Sequence, residues 1–310
     1  MLKKNLPVLM ALLLLSACAS QEEAPAPESD AFTIAASTYP VYLLASAVTE
    51  DVEGVTVTLM IDQTVGCLHD YTLSVNDMKV LESADLILLN GAGLEDSMAD
   101  ALAASGTTRI DCAEAGEVTH LDTCHLHDHG ESTGVVSPQD DPHIWMDPMR
   151  ACQMIQGIVK GLSGQDPAHA EAYAANGEAA VQALTAAYED WSAQLADLTC
   201  RELITFHDGF AYFADAFDLT VLRSIEEESG SEASAQELAE IIAMVQEHQL
   251  PAVFTEVNGS AASAELISQE TGVSVYTLDL LMSGPTEQAG IQTYIDGMAA
   301  NINTIREAFS

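Results

Sequence analysis

Short β-rich runs alternate with Ala-rich helical stretches along most of this chain, break off at one long helical segment, and then start again. Phe32 to Ser37, Val55 to Ile61, Leu86 to Asn90 and Thr108 to Asp111 read as strands. Tyr39 to Thr49 and Leu73 to Ser83 read as helices between them. Such alternation requires crossover connections, and therefore a mainly parallel sheet with helices on its faces. Asp166-Pro167 then fits an N-cap followed by N1 and opens a helical pattern to about Leu198, carried by Tyr173, Val181, Leu184, Tyr188, Trp191 and Leu195. A helix of about 32 residues at 1.5 Å each is roughly 48 Å long, enough to connect two lobes. Strand runs resume at Glu202 to Phe206, Thr220 to Ser224, Ala252 to Glu256 and Val273 to Leu278, with helical segments at Ala235 to His248 and Ser260 to Thr271. The expected fold is therefore α/β, with two lobes, 31–165 and 199–310, joined by a long rigid helix, 166–198, and a ligand cleft between them.

The start of the chain reads as a processing signal. Met1-Leu2-Lys3-Lys4 is cationic, Pro7 to Leu15 is apolar but too short to span a bilayer, and Leu15-Ser16-Ala17-Cys18 looks like a bacterial lipobox. Residues 1–18 are then a lipoprotein signal peptide with Cys18 as the lipidated residue, and 19–30, rich in Pro, Glu and Ala, a disordered spacer. The expected location is extracytoplasmic, lipid-anchored to the bacterial cell membrane, with the globular part in water. The 48 acidic against 9 basic residues give a net charge of −39, which repels nucleic-acid phosphates and excludes them as partners. The same acid keeps an exported monomer soluble. Five cysteines follow Cys18: Cys67, Cys112, Cys124, Cys152 and Cys200. Disulfides are possible outside the cytoplasm, the odd count leaves at least one cysteine unpaired within the chain, and no CxxC pair supports a thiolate zinc site.

Metal ligands need lone pairs, and open α/β sheets present their ligands at the C-terminal ends of strands. Four residues sit there. His69 lies beyond the run ending at Ile61, and His143 lies in Asp141-Pro142-His143-Ile144-Trp145-Met146-Asp147-Pro148. His207 follows Leu203-Ile204-Thr205-Phe206, and Asp279 follows Val275-Tyr276-Thr277-Leu278. Taken singly, each also fits a hydrogen-bonded structural residue or a helix cap; their joint placement in both lobes points to metal. Asp208 and Asp147 are candidates to orient the imidazoles.

These segments resemble the zinc and manganese substrate-binding lipoproteins of ABC importers. The resemblance is carried by Ser37-Thr38-Tyr39-Pro40, His69-Asp70-Tyr71, Ala84-Asp85-Leu86-Ile87, Asn90-Gly91-Ala92-Gly93-Leu94-Glu95, the Asp141 to Pro148 segment, Phe206-His207-Asp208 with Tyr212-Phe213, and Phe254-Thr255-Glu256. It implies metal held between the lobes by His69, His143 and His207, with Asp279 as fourth ligand and Glu256 close by. It also implies delivery of the metal to the transmembrane subunit of an ABC permease. In manganese-binding relatives the third position is typically a carboxylate; here it is His207, and imidazole suits Zn(II) better than Mn(II). The chain departs from the family at Leu68, where a Pro is usual, at Tyr71-Thr72-Leu73-Ser74, and at Asp279-Leu280-Leu281, where Asp-Pro-Leu is common.

Residues 117–141 have no helical or strand period and read as a loop holding His120, His125, His127 and His129. Similar zinc-binding lipoproteins carry a His- and acid-rich loop in this region, so these four are possible additional ligands. A solvated loop with incidental histidines fits equally. Two rival functions remain. A secreted zinc hydrolase would use an open metal position with Glu256 as base, although no H-E-x-x-H or G-x-S-x-G motif is present. A surface adhesin would hold metal incidentally to cell adhesion.

Overall fold

The computed structural model describes residues 31–61, 71–121, 141–225, 233–257 and 262–310. Two four-stranded parallel sheets organise them. The first contains β1 (Phe32–Ala36), β2 (Val55–Leu59), β3 (Leu86–Leu89) and β4 (Thr108–Asp111), in the order β2-β1-β3-β4. Its helices are α1 (Tyr39–Val48), α2 (Val75–Ser83), α3 (Ala99–Ser105), the short α4 (Cys112–Ala115) and α5 (Pro148–Gln165). A 3-10 turn, Pro167–His169, leads into α6 (Ala170–Gln194). The second sheet contains β5 (Glu202–Thr205), β6 (Thr220–Ser224), β7 (Ala252–Glu256) and β8 (Ser274–Leu278), in the matching order β6-β5-β7-β8. With it come α7 (Ala211–Ala216), α8 (Ala235–His248), α9 (Ala262–Thr271) and α10 (Ile291–Phe309).

Local chemistry sets the element ends. The chain enters α2 through a capping box: Ser74 Oγ accepts from Asp77 N (3.3 Å) and Asp77 Oδ2 accepts from Ser74 N (2.6 Å). The helix therefore starts at Val75, not at Leu73 as the apolar pattern suggested. Ser234 and Glu237 start α8 in the same way. Asp166 does precede the helical Pro167, but its carboxylate takes the Tyr173 hydroxyl (2.7 Å) and His169 Nδ1 (2.6 Å) instead of a helix N–H. The long helix ends at Gln194, short of Leu198.

Strand residues alternate between two cores, as a period of two requires. In β5 and β7, Leu203 and Phe254 join the large core that runs through both lobes, while Ile204 and Val253 face a smaller cluster with Ile241, Val245 and Ile267 under α8 and α9. Helix α1 is buried on nearly every side and packs on α5, α6 and α10. Polar bonds cross the seam between lobes as well. Tyr39 and Tyr42 donate to the carbonyls of Pro285 (2.9 Å) and Thr286 (3.1 Å), and Trp145 Nε1 donates to Leu280 O (2.8 Å). No helix among the described residues is long and apolar enough to cross a membrane. Cys112, Cys152 and Cys200 carry free thiols; burial holds the Cys112 thiol well above its usual range and pushes Cys152 up to about 11.

Candidate metal centre

In each sheet the crossovers leave in opposite directions on either side of one strand gap, β1/β3 in the first and β5/β7 in the second. The crevice above the carboxyl ends of such a pair is where open α/β sheets hold ligands. In the second lobe, His207 lies two residues beyond β5, and Glu256 is the last residue of β7. His207 Nδ1 sits 3.2 Å from Glu256 Oε2, and Thr205 Oγ1 donates to the His207 carbonyl (3.0 Å). Asp279 follows β8 directly. Buried Asn301 on α10 grips it from both sides, accepting from Asp279 N (2.9 Å) and donating to its carbonyl (2.7 Å). One carboxylate oxygen of Asp279 accepts from Leu281 N (2.7 Å).

In the first lobe, His143 is buried, and Asp141 Oδ1 accepts from both its backbone N (2.9 Å) and its ring Nδ1 (2.7 Å). The segment is anchored from below. Asn90, just past β3, donates through Nδ2 to Pro142 O (2.9 Å). Glu95 in turn fixes Asn90: its carboxylate accepts from Asn90 N (2.7 Å), Ser37 Oγ (2.6 Å) and Gly91 N (3.1 Å). Gly91 has φ +81°, and a Cβ there would lie 2.0 Å from Asp111 Oδ1, so only glycine fits. The next turn, Ile144–Met146, buries Trp145 completely, and Asp147 then caps α5 by accepting from Met149 N (2.7 Å) and Arg150 N (3.2 Å).

The two lobes bring His143 and His207 together edge to face, ring centroids 5.4 Å apart and planes at 89°. Asp141 Oδ1 takes the Nδ1 of His143, and Glu256 Oε2 stands 3.2 Å from the Nδ1 of His207. Burial pushes the Glu256 carboxyl up to about 7; Asp279 adds to that rise and His143 opposes it. Burial likewise raises Asp279, against the Leu281 hydrogen bond. A buried and a half-buried carboxyl that both hold their protons more tightly than usual mark a place short of positive charge, which a divalent cation would supply.

Among the described residues, no group of three or more His, Cys, Asp or Glu side chains is set to hold a metal. The first expected ligand, His69, lies outside those residues, as do Cys18, Cys67, Cys124, His125, His127 and His129. His120 is exposed, with Nδ1 3.4 Å from the Tyr212 hydroxyl. Asp147 does not orient an imidazole, contrary to expectation; its carboxylate is taken by the α5 N-terminus and Arg150. Asp141 does so for His143 and was missed in that role, although a carboxylate two residues before a histidine was a readable signal; Glu256 Oε2 stands 3.2 Å from His207 Nδ1.

Two parallel α/β lobes joined by a long helix, with an imidazole of each lobe meeting at the crevice, form the frame of a two-lobed binding protein, and the comparisons with known proteins place it among the metal-binding components of ABC-type importers. A family model described as the periplasmic component A of a zinc-uptake complex (ZnuA) matches residues 34–308, and the chain belongs to that family. It is 27% identical over 244 residues to the manganese-binding lipoprotein MntA of Halalkalibacterium halodurans, covering 78% of this chain and 77% of the relative. It is 26% identical over 309 residues to the zinc-binding lipoprotein AdcA of Streptococcus pneumoniae serotype 4, covering 95% of this chain and 58% of the relative. The crystal structure of ZnuA superposes with a TM-score of 0.75 at 29% identity, covering 91% of this chain and 100% of that one. The family is one of transport proteins, so the hydrolase alternative falls.

Proposed function

We propose that this protein captures Zn(II) outside the cytoplasm and delivers it to the transmembrane subunit of an ABC permease, tethered to the membrane by lipid on Cys18. In this reading His69, His143 and His207 hold the ion, with Asp279 as fourth ligand and Glu256 as the nearby alternative. Residues 31–165 and 199–310 are the two capturing lobes, and 166–198 is the strut between them. The observation that carries the reading is the edge-to-face pair of His143 and His207, one from each lobe, each with Nδ1 against a carboxylate. For His143 the Asp141 hydrogen bond fixes the tautomer and raises the basicity of the coordinating nitrogen, as is usual for metal-bound histidine. Three imidazoles and one carboxylate suit a closed tetrahedral zinc shell, which leaves no position for a reactive water.

Manganese is the second reading. Glu256 places a buried carboxyl beside His207, the half-buried Asp279 adds to the rise of that carboxyl, and manganese favours oxygen donors. Titration of chelator-stripped protein with Zn(II) and with Mn(II) decides between them. The expected result is one tight site per chain, preferring zinc, and lost in His207→Ala. An unchanged, stoichiometric tight site in that variant would refute the ligand assignment, and a preference for manganese would overturn the zinc reading.

A further inference from the structure

Arg150 is one of only 9 basic residues in a chain with 48 acidic ones, and it is placed at the seam between lobes. Its side chain is 12% exposed. The guanidinium engages four groups. Nε donates to Thr119 O (2.7 Å), Nη1 donates to Asp147 Oδ2 and to Asp215 Oδ2 (2.8 Å), and the carbon centre lies 4.8 Å over the Tyr212 ring. Thr119 and Asp147 belong to the first lobe; Asp215 and Tyr212 are on α7 of the second. The elements joined, α5 and α7, each begin a few residues after one of the two histidines. Asp147 and Arg150 follow His143 through the Ile144–Met146 turn into α5, and α7 begins four residues after His207.

We propose that Arg150 is a positioning residue for metal capture: its guanidinium clasps α5 to α7 and so fixes the separation at which His143 and His207 share an ion. This rests on the metal-capture reading. The guanidinium meets two carboxylates through Nη1, a carbonyl through Nε and an aromatic face with its carbon centre, a set of contacts that a lysine ammonium reproduces only in part. Without it, Asp147 and Asp215 face each other across the seam as like charges, and their repulsion favours the open arrangement. The clasp acts on the closed state, so its loss is read in the rate of metal release and not in the rate of capture.

The test uses the whole protein and measures zinc release by stopped-flow mixing with a chelator, together with zinc association and thermal midpoints with and without zinc. Asp215→Asn removes only the cross-seam ion pair, and its side chain is 42% exposed, so folding is not at risk. A pair this exposed is worth little, and the expected acceleration of release is about threefold. Arg150→Gln also removes the stacking and the bond to Thr119, and release should accelerate about tenfold or more. Arg150→Lys should fall between the two. Adding Asp215→Asn to Arg150→Gln removes the Asp147–Asp215 repulsion and should bring release partway back toward the wild-type rate, and association should stay at the wild-type rate throughout. Wild-type release from Asp215→Asn and Arg150→Gln, or effects that simply add in the double variant, would overturn the clasp. If Arg150→Gln does not fold, Asp215→Asn alone decides. If wild-type protein binds neither zinc nor manganese, the capture reading itself has failed and the assignment falls with it.

Discussion

Protons and metal should compete at Glu256, and the competition can be isolated. Burial, helped by the Asp279 charge, pushes this carboxyl up to about 7 in the metal-free protein. An ion at the neighbouring imidazoles must displace that proton. At pH 8 the group is mostly ionised and the competition is negligible. At pH 5.5 a group of pKa about 7 is protonated in all but about 3% of molecules, so metal affinity falls about 30-fold, or ~2 kcal/mol, from this group alone. Titration calorimetry in two buffers of different ionisation enthalpy counts the protons released per zinc. At pH 6.5 the Glu256 share is about 0.8 of a proton. In Glu256→Gln that share vanishes and the affinity ratio between pH 8 and pH 5.5 shrinks by the same 30-fold or so. Equal proton counts in the two proteins would refute the reasoning. The stability of the metal-free protein follows with the opposite dependence. Because the folded carboxyl holds its proton more tightly than the unfolded one, folding takes up a proton between pH ~4.5 and ~7, and stability falls as pH rises through that window. Zinc, by replacing the proton, should remove the fall.

Two further outcomes are expected. Glu95→Ala leaves Ser37 Oγ, Asn90 N and Gly91 N without their acceptor in a buried place, which should destabilise the metal-free protein by about 3 kcal/mol in urea unfolding; a loss under about 1 kcal/mol would contradict the anchoring role. Trp145→Phe removes the donor to Leu280 O at the seam, beside Asp279, and should cost about 1–2 kcal/mol and weaken zinc binding, whereas an unchanged thermal midpoint and affinity would show that the bond holds nothing in register.

Strands were the most legible part of the fold. Val55–Leu59, Thr108–Asp111, Thr220–Ser224 and Ala252–Glu256 are compact runs rich in β-branched and apolar residues; of these only β7 is buried throughout, and the other three lie at sheet edges. Helices were read less completely. Helix α5 begins at Asp147-Pro148, a start signal hidden inside the most motif-like segment of the chain, and the expectation passed over it. Helix α10 was missed because the irregular stretch 279–290 separates it from β8, so the strand–helix rhythm breaks there. Of the candidate ligands, His207 and Asp279 do stand just beyond strands β5 and β8, whereas His143 follows no strand and was marked by its Asp141 to Pro148 segment. The pairing of His207 with Glu256 was not legible, since it depends on β5 and β7 being neighbours although β6 lies between them in sequence. Arg150 left no periodic trace: its partners come from a loop, a cap and a helix of the other lobe.

Asp141 and Glu256 come from the same half of the molecule as the imidazoles they stand against, His143 and His207. Under the metal-capture reading, an ion would leave the crevice without either ring losing its carboxylate neighbour, so that part of the side-chain ordering would not be repeated with every ion.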